Sequence, residues 1–185
     1  DGGALSSTTR HILATDRVRF VGEPIAAVVA DTEEQAKNAA EAIQIDFDPL
    51  PCATRLSDAL AHEAPLLTEA PDNRVAETRY GDAAATQAAF DQAAHVVHLD
   101  IVNQRLAALS IEPRSVLAYV ENARLTVRLS SQMPTGVRTA LCDVIGLDKE
   151  NVRVIVGDVG GGFGMKTGAN AEDIVVAYCA NKLQR

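Results

Sequence analysis

Six of the twelve glycines fall in one short run, Gly157-Asp-Val-Gly-Gly-Gly-Phe-Gly-Met-Lys-Thr-Gly168. Consecutive glycines let backbone N–H groups converge on one point, and they let a ligand approach without meeting a Cβ. The run is bracketed. Val152, Val154 and Val156 read as a short strand before it, and Asn170 caps a helix after it, with Glu172 and Asp173 in the first turn. Strand, glycine loop, helix is a recurrent anion-binding arrangement. The bland alternative is a flexible surface loop.

Two familiar cradles are out of register. A Walker A loop wants Gly-x-x-x-x-Gly-Lys-Thr, and here Met165 separates Gly164 from Lys166. The Gly-x-Gly-x-x-Gly dinucleotide pattern, started at Gly160 and Gly162, meets Met165 at its third glycine. Neither standard nucleotide site fits. A second feature is Ser130-Ser-Gln-Met-Pro134, between a strand end and a helix start. A glutamine there can aim its amide at a ligand over the sheet edge. Alone this is weak, because most such glutamines are solvated or cap a turn.

Hydrophobic patterning predicts a mixed α+β chain. Arg17–Val21 and Ile25–Ala30 read as strands joined at Gly22-Glu23-Pro24. Asp31 as N-cap, with Glu34 reaching back, starts a helix that runs to about Ala42. Ile43, Ile45 and Phe47 alternate with polar residues as a half-buried strand. Four of the seven prolines (Pro49, Pro51, Pro65, Pro71) lie in 49–81, a connector with one helical turn at Ser57–Ala61. Beyond it come an alanine-rich helix, Asp82–Ala94, and a long strand, His95–Arg105. Ser115–Val120 and Arg124–Leu129 form a hairpin around Glu121-Asn122-Ala123, with Leu125, Val127 and Leu129 on one face and Thr126 and Arg128 on the other. Pro134 starts a helix that ends at Gly146.

Composition narrows the function classes. In 185 residues, 17 Lys and Arg stand against 25 Asp and Glu, a formal charge of -8. Phosphate backbones call for clustered cations, so nucleic acid is not expected as a partner. At 47% hydrophobic and 23% charged, the chain has an ordinary globular balance. No run of roughly 18 apolar residues predicts a membrane span, and the front lacks a signal-peptide pattern. The start at Asp1 and the stop at Arg185 fit an excerpt of something longer. Cys52, Cys142 and Cys179 are too far apart for a CxxC metal or iron–sulfur site, and Cys142 and Cys179 read as core residues. His95 and His98, three apart on a strand, point to opposite faces and make no metal pair.

Four motifs now stand in one order: Val21-Gly-Glu-Pro-Ile-Ala-Ala-Val-Val-Ala30, Ile111-Glu-Pro-Arg114, Ser131-Gln-Met-Pro134 and Val159-Gly-Gly-Gly-Phe-Gly164. Together they resemble the molybdenum-binding large subunit of the xanthine dehydrogenase, aldehyde oxidase and carbon monoxide dehydrogenase family, most of all its bacterial three-subunit members. The resemblance implies part of an α/β hammerhead domain with its Pro-rich connector over residues 1–70. It implies the first part of a molybdenum cofactor-binding domain over 71–185.

It also implies an activity, oxidative hydroxylation of an N-heterocycle or aldehyde, or oxidation of a CO-type substrate, with water as the oxygen source. The cofactor would be molybdenum-molybdopterin in its cytosine dinucleotide form. An iron–sulfur small subunit would carry [2Fe–2S] clusters, and a FAD-binding medium subunit would take the electrons. By resemblance, Gln132 hydrogen-bonds a cofactor oxygen, and Gly161, Gly162, Phe163 and Gly164 lie against the metal centre. A core-filling role is the alternative for Phe163. Thr167 stands where purine-oxidising relatives hold substrate with a glutamate, so purine is not the expected substrate.

The family's catalytic glutamate lies in a far C-terminal motif that has no match here. The chain alone is therefore expected to be inactive, and a split, non-catalytic scaffold subunit is the competing reading. A generic anion-binding domain is a third. Lys166 has two readings, a partner for a cofactor phosphate or a solvated cation. Glu112 and Arg114 read as a structural ion pair. A cytoplasmic location is expected, with a periplasmic one left open.

Overall fold

A computed structural model describes residues 8–66, 69–70, 72–104 and 106–185. Its helices are α1 (Glu33–Glu41), α2 (Leu56–Ala59), α3 (Ala83–Gln92), α4 (Pro134–Ile145) and α5 (Ala171–Leu183). Its strands are β1 (Val116–Glu121), β2 (Arg124–Leu129) and β3 (Val152–Ile155), with a 3-10 turn at Lys149–Asn151. The chain divides into two compact units that interleave along the sequence, one of residues 1–10 and 46–105, the other of 11–45 and 106–185.

The second unit holds the sheet. β1 and β2 pair antiparallel across Asn122 and Ala123, both at positive φ (51° and 59°). A two-residue turn of that hand matches strand twist. β3 then pairs with β2 in parallel, in the order β1-β2-β3, so β2, α4 and β3 make a crossover unit. Pairing puts Val116, Ala118 and Val120 opposite Leu129, Val127 and Leu125, and these residues share one face. Against it pack Val137, Leu141 and Cys142 of α4 and Ile174, Ala177 and Ala180 of α5. Thr126, on the other face by alternation, is buried as well, whereas Arg128 beside it is exposed.

Helix ends follow local chemistry. Pro134 occupies the first turn of α4, and Gly146 closes it in the left-handed conformation at φ 78°. Asn170 and Asp173 form a reciprocal capping box on α5. Burial pushes the Asp173 carboxyl upward, against the lowering effect of the Asn170 N–H. On α1 the cap is Thr32 rather than Asp31. Thr32 is extended, its hydroxyl accepts from Gln35 N–H at 3.2 Å, and Gln35 Oε1 accepts from Thr32 N–H at 3.2 Å. The helix starts one residue later than expected, so Gln35 replaces Glu34.

The remaining strand expectations are corrected. Residues 17–21, 25–30 and 43–47 join no ladder, and neither do 95–104. Arg105 and Pro71 lie outside the described residues. These stretches carry strand patterning, but no described segment pairs with them. Their apolar side chains stay largely open, as at Phe20, Val21 and Val29.

In the first unit α2 and α3 have no buried residues. Asp82 caps α3 by accepting from Ala85 N–H at 2.9 Å, and Asn73 Nδ2 ties Ala59 O and Pro65 O together at 2.9 Å each. His98 meets Asp100 at 3.2 Å, both exposed.

Candidate functional site

Topology brings the two sequence features together. Gln132 follows the carboxyl end of β2, and the glycine loop follows the carboxyl end of β3. β2 and β3 are adjacent and parallel, so both chain exits lie at one sheet edge. Ligands bind in this crevice in open α/β sheets.

The Gln132 side chain lies directly on the loop. Its Oε1 accepts from Gly164 N–H at 3.2 Å and from Lys166 N–H at 3.3 Å. Two backbone donors on one oxygen fix which way the carboxamide points, and among the described residues they leave both Nε2 hydrogens free on an exposed residue. Gly162 makes this contact possible, because a Cβ there would overlap Cδ and Oε1 of Gln132. At Gly160 a Cβ would sit 2.5 Å from Cβ of Glu112. The glycines are therefore required by close approach as well as by dihedral. Gly161 (φ 100°) and Gly164 (φ 87°) are both in the left-handed region.

Phe163 is the exception, a bulky residue at φ 48°. Such a conformation stores strain of order 1 kcal/mol and clusters at functional sites. Its ring edge lies over Gly161, but 75% of the residue is exposed, so it does not fill a core. Gly162, by contrast, is buried. Among the described residues the N–H groups of Gly161, Gly162 and Phe163 have no acceptor, whereas that of Gly160 is bound to Glu112. Of these three residues only Gly162 is buried, and a buried N–H group is rarely orphaned. Three successive free donors, with the Gln132 amide beside them, suit an oxygen-rich, electron-dense group.

Thr167 is exposed and donates through Oγ1 to Gly164 O at 2.8 Å. Lys166 matches neither of its expected roles. It is 1% exposed, and Nζ binds Glu112 O (2.8 Å), Ser130 Oγ (2.9 Å) and Glu112 Oε2 (3.0 Å). Its three N–H donors are thereby satisfied internally. Glu112 and Arg114 do not pair with each other. Glu112 pairs with Lys166, and Arg114 pairs with Glu172 at 2.7 Å on the surface. The Ser130 hydroxyl, the Gly160 N–H and the Lys166 ammonium together hold the Glu112 carboxyl down to about 2.

Glu112, Ser130 and Lys166 are the residues that sequence reasoning missed as a group. They are charged or polar positions far apart in the chain, and no local spacing joins them. Adjacency of Lys166 to the glycine run was the available signal.

A family model described as the molybdopterin cofactor-binding domain matches residues 66–185. The chain belongs to the molybdenum hydroxylase family. A second model, the a/b hammerhead domain of aldehyde oxidase and xanthine dehydrogenase, matches residues 2–51. The chain is 31% identical over 174 residues to the gamma subunit of the 6-hydroxypseudooxynicotine dehydrogenase complex of Paenarthrobacter nicotinovorans, covering 93% of this chain and 22% of that one. It is 31% identical over 179 residues to the carbon monoxide dehydrogenase large chain of Hydrogenophaga pseudoflava, covering 89% and 22%. The fold is similar to that of quinoline 2-oxidoreductase from Pseudomonas putida 86, with TM-score 0.85, 32% identity, and coverage of 98% of this chain and 23% of the other. The chain thus spans about 22% of the length of the curated relatives it matches. No helix among the described residues is long and apolar enough to cross a membrane.

Proposed function

We propose that this chain supplies part of the cofactor wall of a molybdenum-dependent oxidoreductase that hydroxylates an N-heterocycle or aldehyde, or oxidises a CO-type substrate, with water as the oxygen source. The observation that carries the reading is the pinned Gln132 carboxamide beside three unpaired loop N–H groups. Gln132 Nε2 donates to a cofactor oxygen, and its neutrality adds no charge at the metal. The N–H groups of Gly161, Gly162 and Phe163 would donate to cofactor oxygens, and the space at Gly164, whose φ of 87° favours glycine, is open to a ligand. The exposed Phe163 ring keeps water off one side.

The bound cofactor, molybdopterin in its cytosine dinucleotide form, supplies the redox centre. An iron–sulfur small subunit with [2Fe–2S] clusters and a medium subunit with FAD would serve as the partners that take up its electrons. Thr167 can accept a hydrogen bond from a substrate but provides no carboxylate, which favours substrates other than purines. A cytoplasmic location belongs to the same reading.

Metal and pterin analysis of the purified assembly tests it. Stoichiometric molybdenum with pterin is expected, and Gln132→Ala should lower activity or molybdenum content by about 10–100-fold. An assembly without molybdenum or pterin would favour a scaffold role instead.

A further inference from the structure

The cluster of Lys166, Glu112 and Ser130 beside the glycine loop, of which only Lys166 is fully buried, has no role in the reading so far. Lysine is almost never fully buried unless paired, and Lys166 is buried against a Glu112 side chain that is itself 37% exposed. The bonding pattern of this half-buried pair points to a role in the site. The Lys166 main chain grips Gln132 twice. Its N–H donates to Oε1, and its carbonyl accepts from Gln132 N–H at 2.9 Å. The same carbonyl accepts from Ser131 Oγ at 3.3 Å. The Lys166 side chain reaches back to Glu112 and Ser130.

Glu112 in turn holds the front of the loop. Its Oε2 accepts from Gly160 N–H at 2.7 Å and from Ser130 Oγ at 2.6 Å, and its own N–H donates to Gly160 O at 3.2 Å. One end of the loop is tied by Glu112 and the other by Lys166, and the two are tied to each other. The unpaired donors of Gly161, Gly162 and Phe163 lie between these ties.

We propose that Lys166, Glu112 and Ser130 are positioning residues, an ion-pair clasp that sets the Gln132 carboxamide and the free loop N–H groups in one arrangement before any cofactor is bound. This rests on the reading that the loop faces molybdopterin. Lys166 does not itself donate to the cofactor, because each Nζ hydrogen already has an acceptor within the protein. Its effect is preorganisation: donors held in place by a rigid frame need no reordering when the ligand arrives.

The test uses the complete complex and three variants. Ser130→Ala and Glu112→Gln loosen the clasp while keeping side-chain volume close to the original. Arg114→Ala, which breaks only the surface pair with Glu172, is the control. Amide exchange at Gly164 and Lys166, the two N–H groups on Gln132 Oε1, reads the clasp with or without metal. Roughly tenfold faster exchange is expected in Ser130→Ala and Glu112→Gln, the scale of one charge-assisted hydrogen bond, with no change in Arg114→Ala. In the loaded complex the same two variants should alter the Mo(V) paramagnetic resonance signal, and the control should not. Unchanged exchange in both clasp variants, or equal acceleration in the control, overturns the clasp. A wild-type complex without molybdenum overturns the functional reading instead, and the clasp is then judged on exchange alone.

Discussion

β2 and residues 97–101 alternate apolar and polar side chains in the same way, yet their fates differ. In β2, Leu125 and Val127 are at most 2% exposed. In the other stretch Val97 is 89% exposed, Leu99 75% and Ile101 79%. β2 has a neighbour on each side, one supplied by a two-residue turn and the other by the α4 crossover. Segment 95–104 has no partner among the described residues. Alternation specifies which face a strand would bury, and the ladder still requires a second chain segment.

That contrast can be broken experimentally. The largest expected effect is in amide exchange of the 185-residue chain. Leu125 and Val127 should exchange about a thousandfold or more slower than Val97 and Ile101, since core strands open only near global unfolding and unpaired segments are open already. Comparable rates would erase the distinction.

Mutations sharpen it at single sites. Leu141→Ala should destabilise the sheet unit by about 2–5 kcal/mol in denaturant titrations, because Leu141 is fully buried between α4 and the sheet. Val97→Ala should stay within about 0.5 kcal/mol. A smaller effect of opposite sign is expected at the hairpin. Ala123 sits at φ 59°, which costs a non-glycine residue roughly 1 kcal/mol, so Ala123→Gly should raise the midpoint by about that amount. An unchanged or lowered midpoint would show that the turn is not left-handed in solution.

Acid should release the loop by a distinct route. The folded Glu112 carboxyl is depressed to about 2 from an ordinary value of 4.5. Its contribution is therefore fully present above about 4.5 and lost as pH falls through about 2. Protection at the Gly160 amide should decline across that window, and Glu112→Gln should abolish the decline. A decline centred at neutral pH would exclude Glu112 as its source.

Legibility in the sequence follows the same division. The hairpin, α4, β3 and α5 were readable because their signals are local: Asn122-Ala123 at the turn, Pro134 and Gly146 at the helix ends, Asn170 at the last cap. The glycine run and Gln132 were readable as site elements because each stands at a strand end. The extended stretches misled because their alternation is real but their pairing is not local. The Lys166–Glu112–Ser130 cluster was invisible for a related reason, since its members come from three chain segments and meet only through β2–β3 pairing. Thr32 displaced Asp31 as a cap by one residue, the usual precision of such boundaries.

The most direct measurement is an experimental structure of the assembled, cofactor-containing complex. The expected result places Gln132 Nε2 within about 3.2 Å of a cofactor oxygen, with the N–H groups of Gly161 to Phe163 turned toward the same group. Cofactor density remote from both Gln132 and the Gly160–Gly164 main chain would contradict the assignment of this strand-end crevice as its wall.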